Sequence, residues 1–332
     1  MTRLPSGLVY SHDSEPGFLR EAKGDAETFA WDYRAPDGAL VGDDETIERL
    51  NALAVPPAYR DVWYCCRENG HLQATGRDDR GRKQYRYHPD FRAAKEHEKF
   101  ARTAEFGGVL PTLRKQVATD LRRRNLSAER MTAATVRMLD IGALRVGNRT
   151  YARANGAFGA TTLKKEHADV RGDRVYLSYR GKGGKAREVQ LSDGSLARLA
   201  RRCQDLPGQH LFAWADDRGE AHGVSSDAVN AYIRDHAGDD FTAKHFRTWH
   251  ASAIAYYELV KAAGDLTLKA MLEPVAERLG NTITISRKSY VHPKLIDAAK
   301  SGDLAGTDLR LPRKSKYLAS YERGLIDFLT KD

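Results

Sequence analysis

Cysteine is scarce: Cys65, Cys66 and Cys203 are the only three in 332 residues. An adjacent pair and a lone third offer neither a disulfide framework nor the paired spacing of a zinc site, so a reducing compartment is expected. Long apolar runs are also missing. No stretch approaches the roughly eighteen residues of a membrane-spanning helix, and the N-terminus (MTRLPSGLVY) has no apolar signal segment. A soluble, intracellular protein is therefore expected. No Gly-x-x-x-x-Gly-Lys-Ser/Thr loop is available to cradle nucleotide phosphates, and no paired carboxylates or His/Cys clusters fall at metal-ligand spacing. Neither a nucleotide cofactor nor a metal is expected.

What is present is positive charge. Lys and Arg number 54 against 45 Asp and Glu, a formal net charge of +9. Such a surface favours a polyanionic partner, nucleic acid ahead of an anionic membrane. Hydrophobic residues make up 41% of the chain, enough for a small domain joined to a larger one.

The texture of the chain changes near Pro89. From residue 1 to 90, short β-rich runs such as Asp61 to Cys66 and Lys83 to Tyr87 are punctuated by turn signals at Pro36 to Gly38 and Asn69–Gly70. A small β-rich domain is expected there, with the charged stretch Arg92 to Lys99 as the linker. Residues 91–332 read as a mainly helical domain containing a small hairpin, an α+β organisation overall. Ser127 or its neighbour is expected to cap a helix running to about Arg145, with Gly147 near its end. Val175 to Tyr179 and Arg187 to Leu191 flank the turn Gly181 to Lys185 as a hairpin. Phe246, Trp249, Ala253, Tyr256 and Val260 give helical spacing over residues 242 to 263, ended by Gly264, and Leu318, Tyr321, Leu325 and Phe328 give a second such stripe. Both stripes are expected to be core.

Two groups of residues carry chemistry. Between Gly76 and His88 lie cations for phosphates, an amide at Gln84 suited to an adenine edge, and the rings of Tyr85 and Tyr87. On a strand, Lys83, Tyr85 and Tyr87 share one face, and Gln84 and Arg86 the other. A solvated basic hairpin would look much the same. The second group is dispersed: Arg145, Lys182, Arg247 and Tyr290. Singly each is an ordinary surface or structural residue. Together they supply a nucleophile, an acid for a leaving oxygen, and cations where charge grows on a phosphoryl group.

At these residues the chain resembles the type IB DNA topoisomerases, especially the compact poxvirus-like group also found in bacteria. The resemblance covers nearly the whole chain. Its anchors are Gly81 to Tyr87 (GRKQYRY), Leu144 to Asn148 (LRVGN), Gly181–Lys182, Lys244 to Thr248 (KHFRT), and Leu279 to Tyr290 (LGNTITISRKSY). It implies the tyrosine recombinase/topoisomerase IB catalytic fold and a C-shaped clamp of two domains on double-stranded DNA, acting as a monomer in the cytoplasm, on the nucleoid if the host is bacterial. It implies that Tyr290 attacks the phosphodiester and becomes linked to the 3′ phosphate, that Arg145 and Arg247 clamp that phosphate, and that Lys182 protonates the 5′ oxygen, with Lys185 in the same turn as the alternative. Many relatives have histidine where this chain has Asn281. Asparagine can still donate to a nonbridging oxygen but holds no positive charge, and a helix C-cap is its structural alternative. Arg82, Lys83, Gln84, Tyr85, Tyr87, Asn148 and Tyr151 match positions that touch DNA in relatives.

A tyrosine recombinase uses a similar Arg, Lys, Arg and Tyr set for strand exchange. Lys244 to Arg247 departs from the His-x-x-Arg usual there, and the GRKQYRY tract has no recombinase counterpart. A DNA-binding protein without catalysis would share the charge and aromatic placement, but not the four matched catalytic positions.

Overall fold

Alternation of side chains along five short strands builds the N-terminal sheet. The computed structural model describes residues 4–22, 31–216, 218–238, 241–262, 266–301 and 309–331. The chain separates into two compact units, Met1–Lys99 and Phe100–Asp332.

In the first unit, β1 (Gly17–Ala22), β2 (Trp31–Arg34), β3 (Arg60–Cys65), β4 (Leu72–Arg77) and β5 (Lys83–Tyr87) form one antiparallel sheet in the order β2-β1-β3-β4-β5. Val62 and Tyr64 of β3 pack with Tyr33, Val55, Ala74 and Leu50, the last from helix α1 (Asp44–Ala52), while Trp63 and Cys65 turn to the opposite side with Leu72. Every second residue thus changes face. Asp43 caps α1 by accepting the Thr46 N–H at 2.9 Å. The turns expected at Pro36 to Gly38 and at Asn69–Gly70 are present, the first with Gly38 at φ +86°. The charged stretch expected as a linker is helical, part of α2 (Pro89–Ala101), and the division between the units falls at its end. Its Lys, Glu and Ala residues are strong helix formers, and Lys95 pairs with Glu98 one turn on.

The second unit packs helices α3 (Thr103–Asp120), α4 (Ala128–Gly142), α7 (Ser226–Ala237), α8 (Ala243–Ala262), α9 (Leu268–Leu279) and α12 (Ser320–Thr330) around one apolar core. Shorter helices α5 (Arg149–Asn155), α6 (Gly194–Gln204), α10 (Ile283–Ser289) and α11 (Pro293–Ser301) complete it. A three-stranded antiparallel sheet β6 (Ala168–Arg171), β7 (Arg174–Arg180) and β8 (Ala186–Ser192) contains the expected hairpin and a strand that the sequence reading missed, and β9 (Ala213–Ala215) pairs with β10 (Ala221–Gly223). Phe246, Trp249, Ala253 and Tyr256 are all buried, with Val260 against them, as the helical spacing required. Leu318, Leu325 and Phe328 are likewise core, and Tyr321 packs on it. The expected stop at Gly264 lies outside the described residues.

Ser127 does cap α4, accepting from the Arg130 N–H, but the helix stops at Gly142, short of Arg145. Ala143 adopts the left-handed conformation (φ 48°), which ends the helix where glycine would usually stand. The nearest glycine, Gly142, is the last helical residue, one position ahead of the left-handed one.

A buried ion network ties four of these helices together. Arg114 of α3 donates to both oxygens of Asp140 on α4 and both oxygens of Glu322 on α12, all at 2.8 Å. From α8, Trp249 Nε1 donates to Glu322 Oε1 at 3.0 Å, and His250 Nε2 lies 3.1 Å from Asp140 Oδ1. Burial alone would raise the pKa of both carboxyls, but Arg114 outweighs it and holds both below the ordinary carboxylate range. Their contribution to stability is thus complete above pH about 5 and is lost as the pH falls through their lowered values. Asp140→Asn leaves a buried guanidinium short of its counter-charge. Urea unfolding at neutral pH should show a loss of about 3 to 5 kcal/mol, shrinking in acid.

Candidate active site

Five residues far apart in sequence meet in the second unit because three helices end beside one another. After α4, the left-handed Ala143 turns the chain so that Arg145 leaves along an extended segment, pinned by the Ala160 N–H to Arg145 O (2.9 Å) and the Thr161 N–H to Val146 O (2.8 Å). Gly147 (φ +94°) admits no side chain: a Cβ would lie 2.9 Å from Thr162 Oγ1. Gly280, also left-handed, caps α9 and delivers Asn281, whose N–H returns to Ala276 O at 3.0 Å. Thr282 caps α10, and Tyr290 stands just past that helix with its N–H on Ser286 O at 3.1 Å.

Arg247, only 4% exposed on α8, occupies the centre. Its Nη1 donates to Ala143 O at 2.6 Å and its Nη2 to Leu279 O at 3.0 Å. Its guanidinium carbon sits 4.9 Å from the centre of the Tyr290 ring. Arg145 forks across the other two groups, with Nη1 to Tyr290 Oη and Nη2 to Asn281 Oδ1, both at 3.0 Å. Among the described residues, Arg247 Nε and Asn281 Nδ2 are buried donors with no acceptor. Buried unpartnered donors are costly and uncommon, and they mark the place where acceptor oxygens would complete the set.

These groups line a cavity of about 480 Å³, with Lys182, Lys185, Arg187, Tyr179, Gly280 and Ser289 also on its wall. Lys182 stands at the tip of the β7–β8 hairpin, in a tight turn whose Gly183 and Gly184 both have positive φ, and Lys185 follows it. The cavity therefore brings together Arg145, Lys182, Arg247, Asn281 and Tyr290, and Lys185 remains beside Lys182.

Burial would raise the Tyr290 pKa, but Arg247 and Arg145 more than offset it and bring it down to about 8. Arg247, desolvated and beside Arg145, is lowered to about 10 and so stays protonated at neutral pH. A tyrosine with weakened hold on its proton, two guanidiniums and a bank of donors form a pocket built for an anion with several oxygens.

The other sequence-selected residues fall in two places. On edge strand β5 of the first unit, Tyr85 and Tyr87 stack at 6.0 Å, and Lys83 lies over the Tyr85 ring and pairs with Asp13. Arg82 and Gln84 instead turn to Asp78, at 2.7 and 3.0 Å. In the second unit, Asn148 is the N-cap of α5 through the Tyr151 N–H, and Tyr151 is exposed. The sequence reading passed over Arg187 and Tyr179, which no local motif distinguishes. It also passed over Asp216, Glu220 and His222, whose ligand atoms gather within 4.8 Å at the β9–β10 turn. There Asp216 already accepts the Arg218 and Glu220 N–H groups and pairs with His222. Among the described residues no helix is long and apolar enough to cross a membrane.

Comparison with known proteins identifies the class. The family described as eukaryotic DNA topoisomerase I, catalytic core, matches residues 88–300, and the bacterial DNA topoisomerase IB N-terminal domain matches residues 30–78. The chain belongs to the type IB DNA topoisomerase family. It is 29% identical over 289 residues to DNA topoisomerase 1B of Acanthamoeba polyphaga mimivirus, covering 83% of this chain and 85% of that one. It is 22% identical over 232 residues to DNA topoisomerase 1B of vaccinia virus strain Copenhagen, covering 68% and 72%. A solved structure of the XerH site-specific recombinase bound to palindromic difH substrate aligns at 20% identity over 57% of this chain and 50% of that one, with a TM-score of 0.37.

The lowered pKa gives a direct optical check. Ultraviolet titration should show a tyrosine ionising near pH 8. Tyr290→Phe should remove that step, and Arg145→Ala should move it upward.

Proposed function

We propose that this protein relaxes supercoiled double-stranded DNA of either sign by cutting one strand through Tyr290 and resealing it, with neither ATP nor metal. The observation that carries the reading is the pairing of Tyr290 Oη with Arg145 at 3.0 Å, above a buried Arg247, in a cavity rimmed by Lys182.

In the forward step Tyr290 Oη attacks phosphorus and gives up its proton to solvent. A bond forms between that oxygen and the 3′ phosphorus, while the bond from phosphorus to the 5′ oxygen breaks. Lys182 donates a proton to the departing oxygen, leaving a 5′ hydroxyl and an amine. Arg145, Arg247 and the free Nδ2 of Asn281 donate to the nonbridging oxygens as charge accumulates on them. Resealing reverses each transfer: the 5′ hydroxyl attacks, its proton returns to Lys182, and Tyr290 is released. The bond energy is held in the phosphotyrosine throughout, so no nucleotide is consumed. Lys185 is the alternative proton donor, since it lines the same cavity.

Arg145 holds the resting tyrosine, so the incoming phosphate must share that guanidinium. The Arg fork suits this exchange because it has more than two donors. Asn281 presents its oxygen to Arg145 and so aims its amide nitrogen away from it. The expected histidine role is thereby filled by a neutral donor.

DNA contact is assigned to Arg82, Lys83, Gln84, Tyr85 and Tyr87 of the first unit and to Asn148 and Tyr151 of the second. The exposure of Tyr85 and Tyr87 and the cations alongside them support this. The two units are taken to act on one duplex as a monomer, in the compartment that holds the DNA.

Tyr290→Phe should abolish the covalent adduct seen in SDS-stopped reactions while leaving duplex affinity within about threefold, since it removes one hydroxyl. Asn281→Ala should slow single-turnover cleavage about a hundredfold. Lys83→Ala should lower the slope of log affinity against log salt by about one, as one phosphate contact is lost. Equal slopes would remove Lys83 from the DNA-contacting set.

A further inference from the structure

Arg187 lies on β8, across the hairpin from Tyr179, and its side chain spans the gap between two catalytic positions. Its stem packs on Gly181, where a Cβ would come within 3.0 Å of Arg187 Cγ. Its guanidinium then lies flat over Gly280, where any Cβ would collide with Nη1, Cζ and Nε. From there Nη2 donates to Arg278 O at 3.1 Å and Nη1 reaches Glu277 O at 3.5 Å, both carbonyls of the last turn of α9. Each glycine immediately precedes a site residue: Gly181 precedes Lys182, and Gly280 precedes Asn281.

We infer that Arg187 is a positioning residue that clasps the Lys182 hairpin to the C-terminus of α9 and so holds the general acid over the leaving oxygen. This rests on Lys182 acting as that acid. The two ends of the clasp are unequally secured. The α9 terminus is already closed by the Gly280 N–H to Glu277 O and the Asn281 N–H to Ala276 O, and Arg145 holds the Asn281 side chain. Among the described residues the backbone of the hairpin tip is held by its own turn alone, through the Gly181 N–H to Lys185 O and the Gly184 N–H to Gly181 O, with two exposed left-handed glycines inside it. Losing Arg187 therefore frees Lys182 and leaves Asn281 in place. The orientation of Arg187 fits this role better than contact with the phosphate: both terminal nitrogens face helix carbonyls, which carry the partial negative charge of the helix end.

The test compares single-turnover cleavage of an ordinary duplex with that of a duplex whose scissile 5′ bridging oxygen is sulfur. A thiolate leaves without a proton, so sulfur relieves the need for the acid. Lys182→Ala should be slow on oxygen and restored on sulfur. Arg187→Ala should slow oxygen cleavage about ten- to a hundredfold, the effect of misplacing a reacting group by about an ångström. It should recover to within about threefold on sulfur and cost under about threefold more when added to Lys182→Ala. Arg187→Lys, which keeps the stem and charge but cannot fork, should fall between wild type and alanine. All variants should retain wild-type circular dichroism and duplex affinity. Arg187→Ala equally slow on oxygen and sulfur, or costing its full factor in the Lys182→Ala background, would overturn the inference and give Arg187 a direct part at the phosphate or a purely structural one. Failure of sulfur to restore Lys182→Ala would instead overturn the assignment of Lys182 as the acid.

Discussion

The organisation of the catalytic unit depends on a buried arginine with no acid beside it among the described residues. Arg247 is charged and almost wholly desolvated, yet its partners are the peptide oxygens of Ala143 and Leu279. These oxygens close α4 and α9, where the aligned peptide dipoles concentrate partial negative charge. Two helix ends thus replace the counter-ion that a buried guanidinium would otherwise require. A carboxylate there would neutralise the positive charge of the cavity and would repel any anion entering it. Backbone oxygens stabilise the cation without cancelling it. The same contacts fix where α4 and α9 stop, and the chain leaves those points toward Arg145 and Asn281.

The ion network around Arg114 has the opposite character and a complementary effect. There the acid predominates, with two carboxylates on one guanidinium. Asp140 lies three residues before Ala143, and Trp249 and His250 lie just past Arg247, so the network grips α4 and α8 close to their functional ends. Carboxylates are thus spent on holding the frame, and the cavity itself is lined by cations.

Much of this was legible in the sequence, for reasons that differ by element. The period of Phe246, Trp249 and Tyr256 marked α8 because a helix with one buried face leaves no other trace, and the turn Gly181 to Lys185 marked the hairpin because positive φ demands glycine. The family was visible in ordered short motifs, and the residue matches bear it out. Other features left no local mark. The end of α4 rests on an alanine in a conformation that alanine rarely adopts. The stretch from Arg92 to Lys99 looked like a linker because charge is common to linkers and solvated helices. Arg187 has an ordinary strand setting, and its importance lies in two glycines from different elements that only folding brings against it. Lys83, Tyr85 and Tyr87 share a face as strand geometry requires, whereas the diversion of Arg82 and Gln84 to Asp78 depends on a turn that no periodicity reports.

Strand β5 is the last in its sheet, so among the described residues one side of its backbone has no neighbouring strand. An edge of this kind is a template on which another copy of the chain could assemble, and such edges are commonly protected by cationic side chains. Arg82, Lys83 and Arg86 put three positive charges on or beside this edge within five positions. Side chains of this kind disfavour the addition of another strand at that edge, whatever else the tract contacts.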